Sequence, residues 1–279
     1  MTDPSPLQPL PSLPSLPSIG GTSDLPALPT IGPVSRRVPP GGARRQWQEG
    51  HVVEVRRETA SAKTLRLWLP EGHPHTPGQH YVVKVTADDG SSASRSYSVA
   101  SAPEPGSGPG THIELTVERI ADGDVSPYLH DEVMLGDDVT VRGPFGGWFV
   151  WRGDSPVLLL GGGSGVVPLM GMLRYWRQTG ERVPLALVQS ARSPDDLYYA
   201  GEYGPETTLV FTRSVPAGWP RPPARLDAEQ LEPVLAPMRD LGATVFVCGS
   251  TSFAEHASQL AVELGVPSGN VRVERFGPS

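Results

Sequence analysis

The sequence contains a single cysteine, Cys248, among its 279 residues. A disulfide within the chain, a cysteine-ligated zinc site and a four-cysteine iron–sulfur cluster are therefore excluded. Long apolar runs are also missing. No stretch of about 18 residues is apolar enough to expect a membrane span, and no short apolar core follows a basic start as in a secretory signal. The paired Arg36 and Arg37 precede "VPPGG", not an apolar stretch, so the cytoplasm is the expected compartment. Cationic excess is lacking too, with 23 Lys and Arg against 30 Asp and Glu and a net charge of −7. Neither nucleic acid nor an anionic membrane surface is an expected partner, while a basic protein partner would not be repelled.

The length suits two ordinary domains of roughly 100 to 150 residues each. Residues 1–45 are rich in Pro, Ser, Gly and Leu, and "LPSLPSLPS" spaces Pro11, Pro14 and Pro17 three apart. That is the period of polyproline II, so the segment reads as a disordered tail, with docking to a proline-recognising module as the alternative. Residues 46–153 read as an antiparallel six-stranded β-barrel. "HVVEVRRE", "KTLRLWL", "HYVVKV", "SRSYSVA", "HIELTVERI" and "DVTVRG" are short alternating runs broken by turn residues. A short helix is expected at "SPYLHDEV", with Ser126 as N-cap and Pro127 just inside. Residues 154–279 change texture. "VLLL", "PLALV", "TTLVF", "TVFV" and "VRVE" are apolar throughout, as in a parallel sheet covered by helices on both faces. Helices are expected from about Gly165 to Gln178, over "DAEQLEPVLAPMRDLG" and over "TSFAEHASQLAVELG", the last two stopped by glycine. The fold class is β plus α/β.

Two stretches carry chemistry. "GGGSGVVP" (Gly161 to Pro168) joins a buried strand to a helix, where unpaired N–H groups and the positive helix end can hold a phosphate. The bland alternative is a tight strand–helix junction. On the strand "RSYS", Arg95 and Tyr97 share one face while Ser96 and Ser98 share the other. Arginine suits bidentate phosphate binding, tyrosine offers a flat face to an aromatic ligand, and a hydroxyl can bond a ring nitrogen. A strand tyrosine alone would usually be packing.

Taken with "PGQHY" (Pro77 to Tyr81), "GDVS" (Gly123 to Ser126), "GPFG" (Gly143 to Gly146), "CGS" (Cys248 to Ser250) and "ERF" (Glu274 to Phe276), these stretches make residues 47–279 resemble the ferredoxin–NADP reductase family of flavoproteins. The resemblance implies that Arg95 holds the flavin pyrophosphate, Tyr97 lies on the flavin ring and Ser98 sits near its N5, with Ser96 in the same motif. It implies that Gly123, Val125 and Ser126 receive the flavin phosphates. Gly162, Gly163, Ser164, Gly165 and Pro168 would receive the nicotinamide cofactor's pyrophosphate, and Cys248 with Gly249 would line the nicotinamide pocket. Phe276 would cover the flavin's other face, and Ser98, Cys248 and Glu274 are the candidates for catalytic support. Cys248 could instead be a small buried residue ending a strand. Plant-type members end on tyrosine, whereas Phe276 is followed by Gly277, Pro278 and Ser279. Many relatives carry a cysteine motif for a two-iron cluster, and this chain does not.

The implied function is hydride transfer from NAD(P)H to FAD, then electron delivery to a separate acceptor such as a ferredoxin-like or oxygenase protein. Nicotinamide C4 and flavin N5 must meet at roughly 3 to 3.5 Å. Two other readings stay open: reduction of a small acceptor (quinone, ferric chelate, oxygen), and a non-catalytic flavin-binding or partner-docking module. FAD over FMN rests on the resemblance. NADPH over NADH is favoured by cations at neighbouring strand ends, Ser190 with Arg192 and Thr212 with Arg213, although either arginine could be a solvated surface charge. The acceptor's identity and the oligomeric state are not legible.

Overall fold

Alternation of apolar and polar residues from Gln48 onward resolves into six strands in the computed structural model, which describes residues 46–87, 89–105 and 110–276. The strands are β1 (Gln48–Arg57), β2 (Ala62–Leu69), β3 (His80–Thr86), β4 (Ser92–Ser98), β5 (Thr111–Glu118) and β6 (Asp138–Phe145). They form one antiparallel sheet in the order β4-β3-β6-β1-β2-β5. Every second residue of β2 and β5 (Leu65, Leu67, Leu69, Ile113, Leu115, Val117) is buried against Tyr81, Val83 and Val141. Each such side chain removed from water contributes roughly 1.5–3 kcal/mol, which pins the register, because a one-residue slip would expose the whole set. The chain beyond β4 returns to β5 through the bridge Val99–Leu115, and Ala100 N donates to Glu114 O at 2.8 Å, so the sheet closes on itself.

The short helix α1 spans Ser126–Asp131, and its cap differs from the expectation. Val125, not Ser126, is the N-cap, and it supplies no side-chain bond. Ser126 lies inside the helix, and its Oγ accepts from Ile120 N at 3.1 Å, so the hydroxyl braces the preceding loop.

The second sheet holds β7 (Val157–Gly162), β8 (Leu185–Ala191), β9 (Thr207–Phe211), β10 (Thr244–Ser250) and β11 (Val271–Phe276), all parallel, in the order β11-β10-β7-β8-β9. Consecutive residues of β7 serve opposite faces. Val157 and Leu159 pack with α2 (Val166–Gln178), while Leu158 and Leu160 pack with α3 (Ala228–Asp240) and α4 (Thr251–Glu263). This two-sided burial is why the strand runs are apolar without alternation. Gly242 and Gly265 adopt φ of +67° and +93° just beyond α3 and α4, the left-handed conformation that stops a helix.

Among the described residues no helix is long and apolar enough to cross a membrane. The proline-spaced stretch with Pro11, Pro14 and Pro17, the Arg36–Arg37 pair and the terminal Gly277–Ser279 lie outside the described residues.

Candidate functional site

The order of the parallel sheet reverses between β7 and β10: the chain leaves β7 toward β8 and β9, then returns to lay β10 and β11 on the other side. In open α/β sheets ligands are held beyond the carboxyl ends of the strands at such a reversal. The glycine turn leaves β7 there, Cys248 to Ser250 end β10, and Glu274 to Phe276 end β11. Cys248 stands opposite Glu274 in the register and Ser250 opposite Phe276.

The glycines of the turn answer different demands. A side-chain carbon on Gly161 would lie 2.5 Å from Gln189 Oε1, one on Gly162 2.4 Å from the Phe253 ring, and one on Gly165 2.1 Å from Cys248 O. Those three make room for the protein's own atoms. Gly163 instead has φ of +55° with nothing within 4 Å of its open side. Glycine enters that conformation without steric cost, and a phosphate can approach there to meet the unpartnered N–H groups of a helix start. Ser164 is half-buried, and Pro168 is buried in the first turn of α2, where a missing N–H costs nothing.

The barrel reaches this turn along α2. A side-chain carbon on Gly171 would sit 2.8 Å from Val99 O, Arg174 Nη1 donates to Ala100 O at 2.9 Å, and Gln178 Nε2 donates to Pro103 O at 3.0 Å. Residues 171, 174 and 178 share one helix face, so α2 runs alongside the segment 99–103 in the same direction. Six residues of helix, about 9 Å at 1.5 Å per residue, separate Gly171 from Gly165. Followed backward by that length, the alignment carries the glycine turn toward Ser98 and Tyr97. The seam is fastened by Arg174 between Glu114 (2.8 Å) and Glu202 (2.5 Å), its guanidinium 4.9 Å from the Tyr199 ring centre.

Exposure falls along β4. Arg95 and Ser96 are exposed, Tyr97 is half-buried and Ser98 is buried. Tyr97 packs against the barrel core opposite Tyr81, and burial pushes its hydroxyl up to about 12 although the nearby Arg95 charge pulls the other way. Arg95 Nη2 donates to Asp124 Oδ2 at 2.8 Å, which ties "RSYS" to the "GDVS" turn, where Gly123 is half-buried and Val125 buried. On the far side of the glycine turn, Ser190 is buried beside Gly162, while Arg192 and Arg213 are exposed. Their chains are joined, since Arg192 O accepts from Arg213 N at 2.9 Å and from Ser214 N at 3.1 Å. Asp196 bonds Ser193 Oγ at 2.5 Å.

Cys248 is fully buried, and burial first, then the Glu274 charge, pushes its thiol well above the usual range. Both causes disfavour the thiolate form. Burial likewise pushes the Glu274 carboxyl up to about 7, so near neutral pH it can hold a proton at the strand tips. This has a consequence for stability. The folded state binds that proton more tightly than the unfolded chain, so the contribution is fully present below about pH 4.5 and is lost as pH rises through about 7. Glu274→Gln is expected to leave the melting temperature unchanged near pH 4.5 and to raise it by a few degrees at pH 8, on the order of 2 kcal/mol. Parallel melting curves of the two proteins across pH 4.5 to 8 would refute the assignment.

Gln189, Phe253, Asp124 and Arg174 are contributors that sequence reasoning did not single out. Asp124 stands inside the quoted "GDVS" and Phe253 is an aromatic in the first turn of the helix after "CGS", whereas Gln189 and Arg174 leave no local trace. A cavity of about 450 Å³ opens at the seam beside Arg56, Glu114, Arg174 and Glu202, and another of about 310 Å³ lies beside Trp151, Thr244, Phe246 and Arg272. Neither is lined by the motifs above, so strand topology and side-chain chemistry locate the site.

Comparison with known proteins identifies the two halves of the chain. Residues 49–150 match the family described as "Oxidoreductase FAD-binding domain", and residues 159–259 match "Oxidoreductase NAD-binding domain". The chain is 33% identical to a glycine betaine monooxygenase reductase subunit of Chromohalobacter salexigens, over 83% of this chain and 66% of that protein. It is 27% identical to the reductase component of a propane 2-monooxygenase of Rhodococcus jostii, over 85% of this chain and 65% of that one. The chain thus spans about two thirds of the length of these relatives. Among solved structures, the flavohem-like FAD/NAD binding domain of nitric oxide dioxygenase from Vibrio cholerae superimposes with a TM-score of 0.65 at 21% identity, covering 82% of this chain and 98% of that one. A ferredoxin reductase in carbazole 1,9a-dioxygenase gives 0.68 at 20% identity, covering 83% and 70%.

Proposed function

Residues 49–150 belong to the oxidoreductase FAD-binding domain family and residues 159–259 to the oxidoreductase NAD-binding domain family, the pairing of ferredoxin-reductase-like flavoproteins, and from that premise we propose that the chain takes hydride from NADPH onto FAD and passes electrons to a separate acceptor protein, ferredoxin-like or an oxygenase component. We assign residues 46–153 to the flavin and 154–279 to the nicotinamide cofactor, and place the protein in the cytoplasm, where reduced nicotinamide is supplied. The observation that carries the reading is the run of α2 along residues 99–103, which directs the Gly163 turn toward Ser98 and Tyr97.

The residues present fit both groups. Gly163 keeps the open side of the turn free of a side chain, and Arg95 is an exposed cation beside the "GDVS" turn. FAD, when bound, supplies the conversion between a two-electron hydride and single electrons. The chain's part is position and field. Arg95 neutralises phosphate charge, Tyr97 presents a neutral aromatic face, and the Ser98 hydroxyl is held in a dry setting where one hydrogen bond counts for more than in water. Glu274, its carboxyl pushed up to about 7 by burial, can hold a proton next to Cys248 near neutral pH, while Phe276 packs on the core shared by β7, β10 and α2. Arg192 and Arg213, side by side at adjacent strand ends, suit a 2′-phosphate.

An acceptor protein is preferred over a small one because several of the similar proteins, the two named above among them, are described as reductase subunits or components. The purified chain should be yellow and should bleach anaerobically with NADPH; a colourless protein that takes up no added FAD would overturn the reading. Cytochrome c reduction by the same preparation should rise when a ferredoxin is added, and no stimulation would favour a small acceptor. Arg192→Ala should raise KM for NADPH about tenfold while changing KM for NADH less than twofold, since a lost charge-assisted bond is worth about 1.5 kcal/mol or more. Equal effects on both would remove Arg192 from the phosphate site.

A further inference from the structure

Gln189 is polar, fully buried and unmentioned by any motif. It stands opposite Gly161 in the pairing of β7 with β8, and its carboxamide occupies the space that a side chain on Gly161 would fill. Nε2 donates to Gly163 O at 3.2 Å and to Ser190 O at 3.3 Å. Oε1 is buried without a hydrogen-bond partner. Turning the amide over would aim its oxygen at two carbonyl oxygens, so the donors belong where they are. A buried acceptor left unmade is costly, and a chain wanting only to fill this space would do better with methionine or leucine.

What the amide does is local. Gly163 O also accepts from Val166 N, so Gln189 adds a second donor to the carbonyl at the corner of the turn. Carbonyls of a helical turn point toward its C-terminus and the N–H groups point the opposite way. The Gly163 carbonyl shares its peptide plane with the Ser164 N–H, which points the opposite way, so tying that carbonyl inward directs the Ser164 amide away from Gln189, beside the open side of Gly163. At φ of +55° Gly163 has open space on its side-chain face, so besides the Val166 bond the Gln189 amide is what holds its carbonyl.

We propose that Gln189 is a positioning residue for the nicotinamide dinucleotide: from beneath Gly161 it fixes the Gly163 carbonyl and so orients the Ser164 N–H of that peptide toward the pyrophosphate. The inference rests on the reading that this turn holds a dinucleotide. It also explains why Gly161 is glycine, as the slot for the amide and not a point of ligand contact.

The test uses FAD-loaded full chain with NADP⁺ as the probe, binding being followed by flavin difference spectra. Gln189→Met keeps length and removes both the donor and the unmet acceptor. It should retain FAD and melt no lower than the parent, yet bind NADP⁺ about tenfold more weakly. KM for NADPH should rise by a similar factor, while kcat at saturation changes less than twofold. Gln189→Glu, which keeps the shape and exchanges the donor for an acceptor, should weaken binding at least as much, and it serves as the test if the methionine variant does not fold. Unchanged NADP⁺ affinity in a folded variant overturns the proposal, as does a loss of affinity that only parallels a loss of FAD or of melting temperature. Absence of NADP⁺ binding in the parent, FAD being bound, would overturn the functional reading and this inference with it.

Discussion

Gly165→Ala is expected to lower the stability of the chain by about 3 kcal/mol or more, a fall of roughly 10 °C in melting temperature for a protein of this size. Its backbone is ordinary, with φ of −62°, so the cost is not conformational. The added carbon would stand 2.1 Å from Cys248 O, 2.3 Å from Cys248 C and 2.5 Å from Gly249 Cα, all backbone atoms of β10 that cannot turn aside as a side chain would. Either the glycine turn lifts off the strand or β10 bends, and the crevice between them opens in both cases. Nicotinamide binding should fall with the stability. Gly163→Ala is the contrast, since its carbon would meet open space and only the left-handed backbone is strained, at about 1 kcal/mol. Thermal melts of the two variants side by side decide the matter: equal losses, or a melting temperature for Gly165→Ala within 2 °C of the parent, would contradict the packing account.

Arg95→Ala should weaken FAD binding by between tenfold and a hundredfold while leaving the flavin-free protein as stable as the parent. The two halves have separate causes. In the structure Arg95 is paired with Asp124 at 2.8 Å, but both side chains are more than half exposed, and exposed pairs contribute little to folding. Against a phosphate the same guanidinium makes charge-assisted bonds, for which a loss of about 1.5–3 kcal/mol is expected. Asp124 sharpens the test. Its carboxylate competes with phosphate for Arg95 and adds negative charge beside the "GDVS" turn, so Asp124→Asn should bind FAD a few times more tightly. Titration of flavin-free protein with FAD measures both. Full affinity in Arg95→Ala would remove it from the phosphate site, and weaker binding by Asp124→Asn would make the carboxylate a support for the arginine instead of a rival.

Much of the architecture was legible residue by residue. Side-chain alternation has a period of two on a strand that is half buried, and it disappears on a strand buried on both faces. The runs from "HVVEVRRE" to "DVTVRG" and from "VLLL" to "VRVE" therefore declare two different sheets before any contact is known, and they appear as β1–β6 and β7–β11. Gly242 and Gly265 stop α3 and α4 for a reason equally local, the left-handed backbone. Ser126 shows the limit of such rules. Its residue type suits an N-cap, but its hydroxyl is taken by Ile120 N, and Val125 stands at the cap.

Within the site, the sequence by itself determined which kinds of group are on offer: a glycine turn after a buried strand, a cation and an aromatic on a barrel strand, an acid and an aromatic on the last strand. Tertiary structure alone decided what each one meets. Gly165 yields to β10 some 80 residues later, Arg95 meets Asp124 of the "GDVS" turn, burial raises the Glu274 carboxyl at the tip of β11, and Gln189 finds Gly163 only when β8 lies against β7. The reason is one of range: periodicity and turn chemistry act between neighbours in the chain, whereas close approach, burial and charge pairing depend on atoms that only the packed sheets bring together.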